Sequence, residues 1–213
     1  MISIMLIRHG ETEWNVKEIF RGRVDIDLSQ RGVEQARRLG EYLADERILA
    51  IYSSPLKRAV RTAEAIAEHH NLNIRIAPEL MDLDFGEWQG LSHEEVKRRY
   101  RELYEKWLKS PHLVRMPGGE SLEDVRERAL RLIDKVTVEF GKAEGAVALV
   151  SHRVVNKVLI CALLGLDNSR FWNVKIDTCG ITTFAYEDGR FVLVKHNDTS
   201  FLRGLEGGTT ADF

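Results

Sequence analysis

The chain has 213 residues, 44% hydrophobic and 30% charged, which is enough for one sizeable globular domain with a buried core. Lys and Arg number 31 against 33 Asp and Glu, a net charge of -2, so bulk charge argues against nucleic-acid or membrane-surface partners and any basic character must be local. No apolar run approaches the roughly 18 residues of a membrane span, and the first residues read as a strand rather than a basic-then-apolar leader. Cys161 and Cys179 have no CxxC spacing and read as free thiols, which fits a cytoplasmic protein.

The β-branched run Ile2 to Ile7 predicts a buried strand emptying into the loop Arg8-His9-Gly10-Glu11-Thr12-Glu13-Trp14-Asn15. Ser29 to about Arg47 carries Val33, Ala36, Leu39, Gly40 and Leu43 at helical spacing. A short strand follows over Leu49 to Tyr52, and then Ser54 and Pro55 offer a cap and first position for a helix with Leu56, Ala59, Val60, Ala63 and Ala67 inward. Asn73 to Ala77 reads as a strand, Met81 to Gly90 as an acidic and aromatic loop, and Ser92 to Leu108 as one charged helix. After the break at Pro117-Gly118-Gly119, Ser121 and Asp124 resemble a capping box for a helix buried through Leu122, Val125, Ala129, Leu132, Ile133 and Val136. Ala146 to Val150 is a further apolar strand, followed by Ser151-His152 and a helix to Leu164. Ile181 to Tyr186 and Arg190 to Lys195 flank a turn and form a hairpin.

Strands alternating with helices predict an α/β fold, a three-layer αβα sandwich on a mainly parallel sheet. The reading adds one antiparallel edge strand, a small helical cap insertion at about 88–120 and a flexible tail at about 205–213, within one domain over 1–213. Parallel strands place their carboxyl ends on one rim, where ligands bind. That rim collects Arg8 and His9, the turn from Ser53 to Arg58, and His152. Arginine forks and a helix amino terminus favour an anion, and nearby cations keep His9 neutral, as a nucleophile must be. The same arginines would repel a metal cation, so no metal is expected.

Arg8-His9-Gly10-Glu11-Thr12-Glu13-Trp14-Asn15 resembles the signature of the histidine phosphatase superfamily, in its phosphoglycerate mutase-like branch. Arg21-Gly22 with Asp25 to Gly32, Ser53 to Ala59 with Arg61-Thr62-Ala63, Asp84 to Gly90, Pro117 to Ser121 and Val150-Ser151-His152 resemble its further motifs. The resemblance implies a phosphomonoesterase that needs no cofactor and works through phosphohistidine. His9 would attack phosphorus, Arg8, Arg58 and His152 would hold the transferring oxygens, and an acid would protonate the leaving alcohol. Gly10, Glu11, Thr12, Asn15, Arg21 and Gly22 match positions near phosphate or substrate. The partner implied is a small-molecule phosphate ester, such as phosphoserine, a sugar phosphate or a cobalamin precursor, and a homodimer is compatible with the sequence.

The family's acid is a glutamate, and here its position holds Asp82, one methylene shorter, with Glu87 and Asp84 as rivals. Arg153 stands where relatives usually have glycine and is read as a contact to a second acidic group on the substrate. Glu120 and Ser121 are weighed equally as substrate contacts and as a helix lead-in. His69, His70, His93 and His112 lie in charged stretches, read as exposed and without function. The alternatives to a phosphatase are a cofactor-dependent phosphoglycerate mutase and a catalytically weak phosphate-binding regulator.

Overall fold

The computed structural model describes residues 1–205, so most of the tail read as flexible lies outside the described residues. The first strand, β1 (Ile2–Arg8), alternates its side chains between two apolar clusters: Ile2, Ile4 and Leu6 enter one, Met5 and Ile7 the other. A strand covered on both faces must be apolar on both. A short helix, α1 (Glu13–Val16), interrupts the loop that follows. Next come α2 (Gln30–Leu43), β2 (Ile48–Ser53), α3 (Lys57–Ala67) and the edge strand β3 (Ile74–Ile76).

The segment read as one charged helix is two, α4 (His93–Arg99) and α5 (Arg101–Lys109), because Tyr100 leaves the helical region at φ -128, ψ 42. The long helix α6 (Leu122–Phe140) starts at the expected capping box, with Asp124 accepting from the Ser121 N–H at 2.7 Å. Then follow β4 (Gly145–Ser151), α7 (Arg153–Leu163) and the hairpin β5 (Ile181–Glu187) and β6 (Arg190–Asp198).

The sheet order is β3-β2-β4-β1-β5-β6. The antiparallel strand is β5, one place in from the edge rather than at it, and β6 closes the sheet beyond it. Leu39 and Leu43 of α2 with Ala59, Ala63 and Ile66 of α3 cover one face. The other face is covered by α6 and α7, with Val96 of α4 and Trp107 of α5 joining the same cluster. The helix read to about Arg47 ends at Leu43, and Val33 is 54% exposed rather than buried. The first turn of α2 packs backbone to backbone instead, and a Cβ on Gly32 would lie 2.0 Å from the Glu11 carbonyl oxygen.

Candidate active site

Strand register assembles the site. Parallel pairing sets Arg8 beside Ser151 and Ser53 beside Val150, so the next residues, His9, His152 and Ser54, leave the sheet side by side. The His9 N–H donates to the Ser151 carbonyl at 2.9 Å, and the Ser54 N–H to the Val150 carbonyl at 3.0 Å. Both imidazoles are fully buried, with ring centroids 5.1 Å apart.

Nδ1 of His9 lies 2.6 Å from the Gly10 carbonyl oxygen. A carbonyl only accepts, so Nδ1 carries the proton and Nε2 keeps its lone pair. That Nε2 is buried and has no protein partner among the described residues. Burial, then Arg58, Arg21 and Arg8, hold the pKa of His9 well below its ordinary 6.5. Burial, then Arg58 and His9, do the same for His152.

These lowered values make stability depend on pH. Below about 6.5 the unfolded chain binds protons that the folded rings refuse, so stability is lost as pH falls through that value. Each ring contributes about 1.4 kcal/mol per pH unit. The urea midpoint is therefore expected to fall between pH 6.5 and 5, with a shallower slope in His152→Gln. An equal slope in the variant would contradict the assignment.

Arg58 is fully buried and donates to the Gly22 carbonyl at 2.7 Å and the Val24 carbonyl at 2.9 Å, which fixes its fork. Arg8 donates to the Ile176 carbonyl at 2.6 Å. The charge of Arg21 is disfavoured by burial and by Arg8, Arg58 and Arg153 around it. Asp82 is the acidic side chain inside this set. Its Oδ2 lies 3.4 Å from Arg58 and 3.8 Å from Nδ1 of His152, and its Oδ1 accepts the Leu83 N–H at 2.9 Å. The rivals are turned away. Asp84 accepts the Gly86 N–H at 2.9 Å and pairs with Arg23, while exposed Glu87 accepts from the Tyr100 hydroxyl at 2.7 Å.

Arg8, Asn15, Arg21, Asp82 and Arg153 line one cleft, joined by Trp14, Glu18, Ile19, Phe20, Phe85, His93 and Val154. The reading of His93 as exposed is corrected here. Its ring stacks on Phe20 at 4.2 Å, its Nδ1 lies 3.1 Å from the Tyr104 hydroxyl, and burial followed by Arg153 and Arg21 lowers its pKa to about 4.

The other expected residues do not line the cleft: His9, Arg58 and His152 are fully buried, and the rest are engaged elsewhere. Glu11 is taken by Arg31 at 2.8 Å and Ser29 at 3.0 Å, and the Thr12 hydroxyl bonds Asn15. The Gly10 N–H is given to Thr62, and Gly22 at φ +51 supplies its carbonyl to Arg58. Glu120 serves as an anchor, pairing with Arg23 at 2.9 Å and Arg128 at 3.1 Å, and Ser121 caps α6.

Sequence reasoning missed three supports. Thr62 bridges the Gly10 N–H and the Arg58 carbonyl. Its polar side chain four residues after Arg58, on an otherwise apolar stripe, was the available signal. Arg128 donates to the carbonyls of Glu79 and Asp82 and so clips the acid loop. Ser54 bonds Nε2 of His152 at 2.7 Å rather than capping α3, whose N-cap is Leu56.

This convergence of a bare imidazole nitrogen, arginine forks and a buried acid is matched by the comparison with known sequences. A profile of the histidine phosphatase superfamily, branch 1, matches residues 4–199. The chain belongs to this superfamily. Phosphoserine phosphatase 1 of Hydrogenobacter thermophilus is 39% identical to it over 202 residues, 95% of each chain. A glucosyl-3-phosphoglycerate phosphatase of Mycolicibacterium vanbaalenii is 36% identical over 172 residues, covering 76% of this chain and 74% of that one. Among solved structures, Bacillus stearothermophilus YhfR superposes with a TM-score of 0.89 at 28% identity, covering 95% of this chain and 100% of its own. The protein is a phosphatase of small organic phosphates, with the α/β architecture of its superfamily.

Proposed function

We propose that the phosphatase hydrolyses its ester through a phosphohistidine on Nε2 of His9, without a metal. The observation that carries this reading is the buried, bare Nε2 of a neutral imidazole enclosed by Arg8, Arg21 and Arg58. Nε2 attacks phosphorus in line as the ester oxygen leaves, and the proton of Asp82 passes to that oxygen. Arg8, Arg58 and His152 hold the three outer oxygens, and the carboxamide of Asn15, whose oxygen is taken by Thr12, offers its amide protons. Water then attacks the phosphohistidine, giving its proton back to Asp82 and freeing His9 with inorganic phosphate. The arginines supply the positive charge that a metal would otherwise bring.

The finer proposal concerns the substrate. Arg153 and Glu18 both line the cleft. A phosphate monoester bearing a carboxylate, and with it an ammonium group, is complementary to that pair. The names of the Hydrogenobacter relative and of a structural neighbour from Entamoeba histolytica solved with phosphoserine agree with a phosphorylated amino acid.

We read segment 88–120 as a cap on this cleft, to whose lining it supplies His93. Buried free thiols at Cys161 and Cys179 support a reducing, cytoplasmic setting. Among the described residues no helix is long and apolar enough to cross a membrane.

Phosphate release is expected to persist in excess EDTA and to favour phosphoserine over phosphoethanolamine, which lacks the carboxylate. Arg153→Ala should lower kcat/KM about 10- to 100-fold for carboxylated esters, the worth of one charge-assisted hydrogen bond, and several-fold less for phenyl phosphate. An equal loss across the panel removes the substrate proposal, and loss of activity in EDTA removes the metal-free mechanism.

A further inference from the structure

Ser54 has one hydroxyl proton, and its surroundings decide where it goes. Its Oγ lies 2.7 Å from Nε2 of His152 and 3.4 Å from the Leu56 N–H, which can only donate to it. No other acceptor lies within bonding distance of this oxygen among the described residues. The alternative, in which Nε2–H donates to Oγ, would leave the hydroxyl proton in a fully buried place with nothing to receive it. Donation from Oγ to Nε2 satisfies both partners of that bond and moves the one unmatched proton to the ring nitrogen that faces the Asp82 carboxyl, where a lone pair would be repelled. His152 must then carry its own proton on Nδ1, the nitrogen 3.8 Å from Asp82 and without a protein bond.

We propose that Ser54 is a positioning residue for phosphoryl transfer: by giving its proton to Nε2 of His152 it locks that ring as the Nδ1–H tautomer, a neutral donor aimed at the transferring oxygens. The proposal rests on the reading that the phosphoryl group sits between the two histidines.

Both rings are then in the same tautomer but present opposite atoms. His9, held through Nδ1 by the Gly10 carbonyl, keeps a lone pair on its unpartnered Nε2. His152, held through Nε2 by Ser54, keeps a proton on its unpartnered Nδ1. One becomes a nucleophile and the other a donor, set by two hydrogen bonds and not by a difference in charge. A neutral donor suits this place, because a cationic His152 would be disfavoured by burial and repelled by Arg58, Arg21 and Arg128. In the wrong tautomer Nδ1 would turn a lone pair on the phosphoryl oxygens, converting attraction into repulsion.

The test pairs imidazole ¹⁵N spectra with kinetics in wild type, Ser54→Ala and Ser54→Thr. The His152 signals are assigned by their loss in His152→Gln. Wild-type His152 is expected as Nδ1–H. Ser54→Ala should show a shift toward Nε2–H, with kcat for an alkyl phosphate falling by up to about 10²- to 10³-fold, the range seen when one transition-state donor is lost. KM should move far less than kcat. Ser54→Thr, which keeps the hydroxyl, should restore both tautomer and rate. A wild-type His152 in the Nε2–H form overturns the proposal. So does an unchanged kcat in Ser54→Ala. Full turnover in His152→Gln would overturn it from beneath, by removing His152 from the phosphoryl site, and the wild-type spectrum reads the Ser54 bond independently of that outcome.

Discussion

His9→Ala is expected to lower kcat by about 10⁴-fold or more for every phosphate ester, aryl or alkyl, because the covalent route disappears with its nucleophile. The size of the loss follows from what remains. The described hydrogen bond of the His9 ring runs to the carbonyl of the adjacent residue, so removing the ring leaves the rest of the cradle tethered. Arg58 stays fixed by Gly22 and Val24, Arg8 by Ile176, and His152 by Ser54. The variant should therefore still bind inorganic phosphate or vanadate while failing to turn over. In wild type, an alkaline quench after mixing with labelled ester should trap acid-labile phosphate on the protein, and none in the variant. A good leaving group should not rescue the loss, since it cannot replace the attacking atom. Turnover within tenfold of wild type would mean that water attacks the ester directly and that the buried Nε2 is incidental.

That experiment addresses the part of the site most open to reading from sequence. A β-branched strand ending in Arg8-His9-Gly10 and another ending in Ser151-His152 place two imidazoles at the carboxyl rim of a parallel sheet whatever the loops do. Register makes them neighbours. What local sequence hides is how distant groups share a proton. A serine before Pro55 is chemically a good helix cap, and nothing nearby says that its hydroxyl is claimed by a ring 98 positions away.

His93 was hidden differently. Glu94, Glu95 and Lys97 around it suggest a solvated turn, but a helix sends His93 and Val96 to one face, and Phe20 from another loop completes the stack. Glu11 and Thr12 sit in the signature loop and look like ligands there. The turn of α1 and the first residues of α2 take up their polar atoms instead. Motif membership marks a loop as important without saying which of its side chains face the ligand.

The acid loop shows the same limit and allows the sharpest discrimination. Sequence offered Asp82, Asp84 and Glu87 within six positions. Gly86, at φ +52, bends the chain there, and a Cβ on it would lie 2.0 Å from the Pro117 carbonyl oxygen, so the turn cannot relax. That turn draws Asp84 back to its own backbone and sends Glu87 outward to Tyr100, leaving Asp82 clipped by Arg128 beside the histidines.

Asp82→Asn is expected to lower kcat about 10²- to 10⁴-fold for an alkyl phosphate, the range for loss of a general acid. Asn is isosteric and keeps the Leu83 N–H contact, so the defect should be chemical rather than a collapse of the loop. An alkoxide must be protonated as it leaves, whereas p-nitrophenolate departs unaided. The defect should therefore shrink by at least tenfold on p-nitrophenyl phosphate, with a smaller residual loss from the second step, in which the same carboxylate takes a proton from water. Glu87→Gln, changing an exposed side chain, should stay within about twofold on both substrates. Equal defects on the two leaving groups would make Asp82 an electrostatic neighbour of Arg58 rather than the acid. A large loss in Glu87→Gln would mean that the cap brings that residue inward when substrate binds.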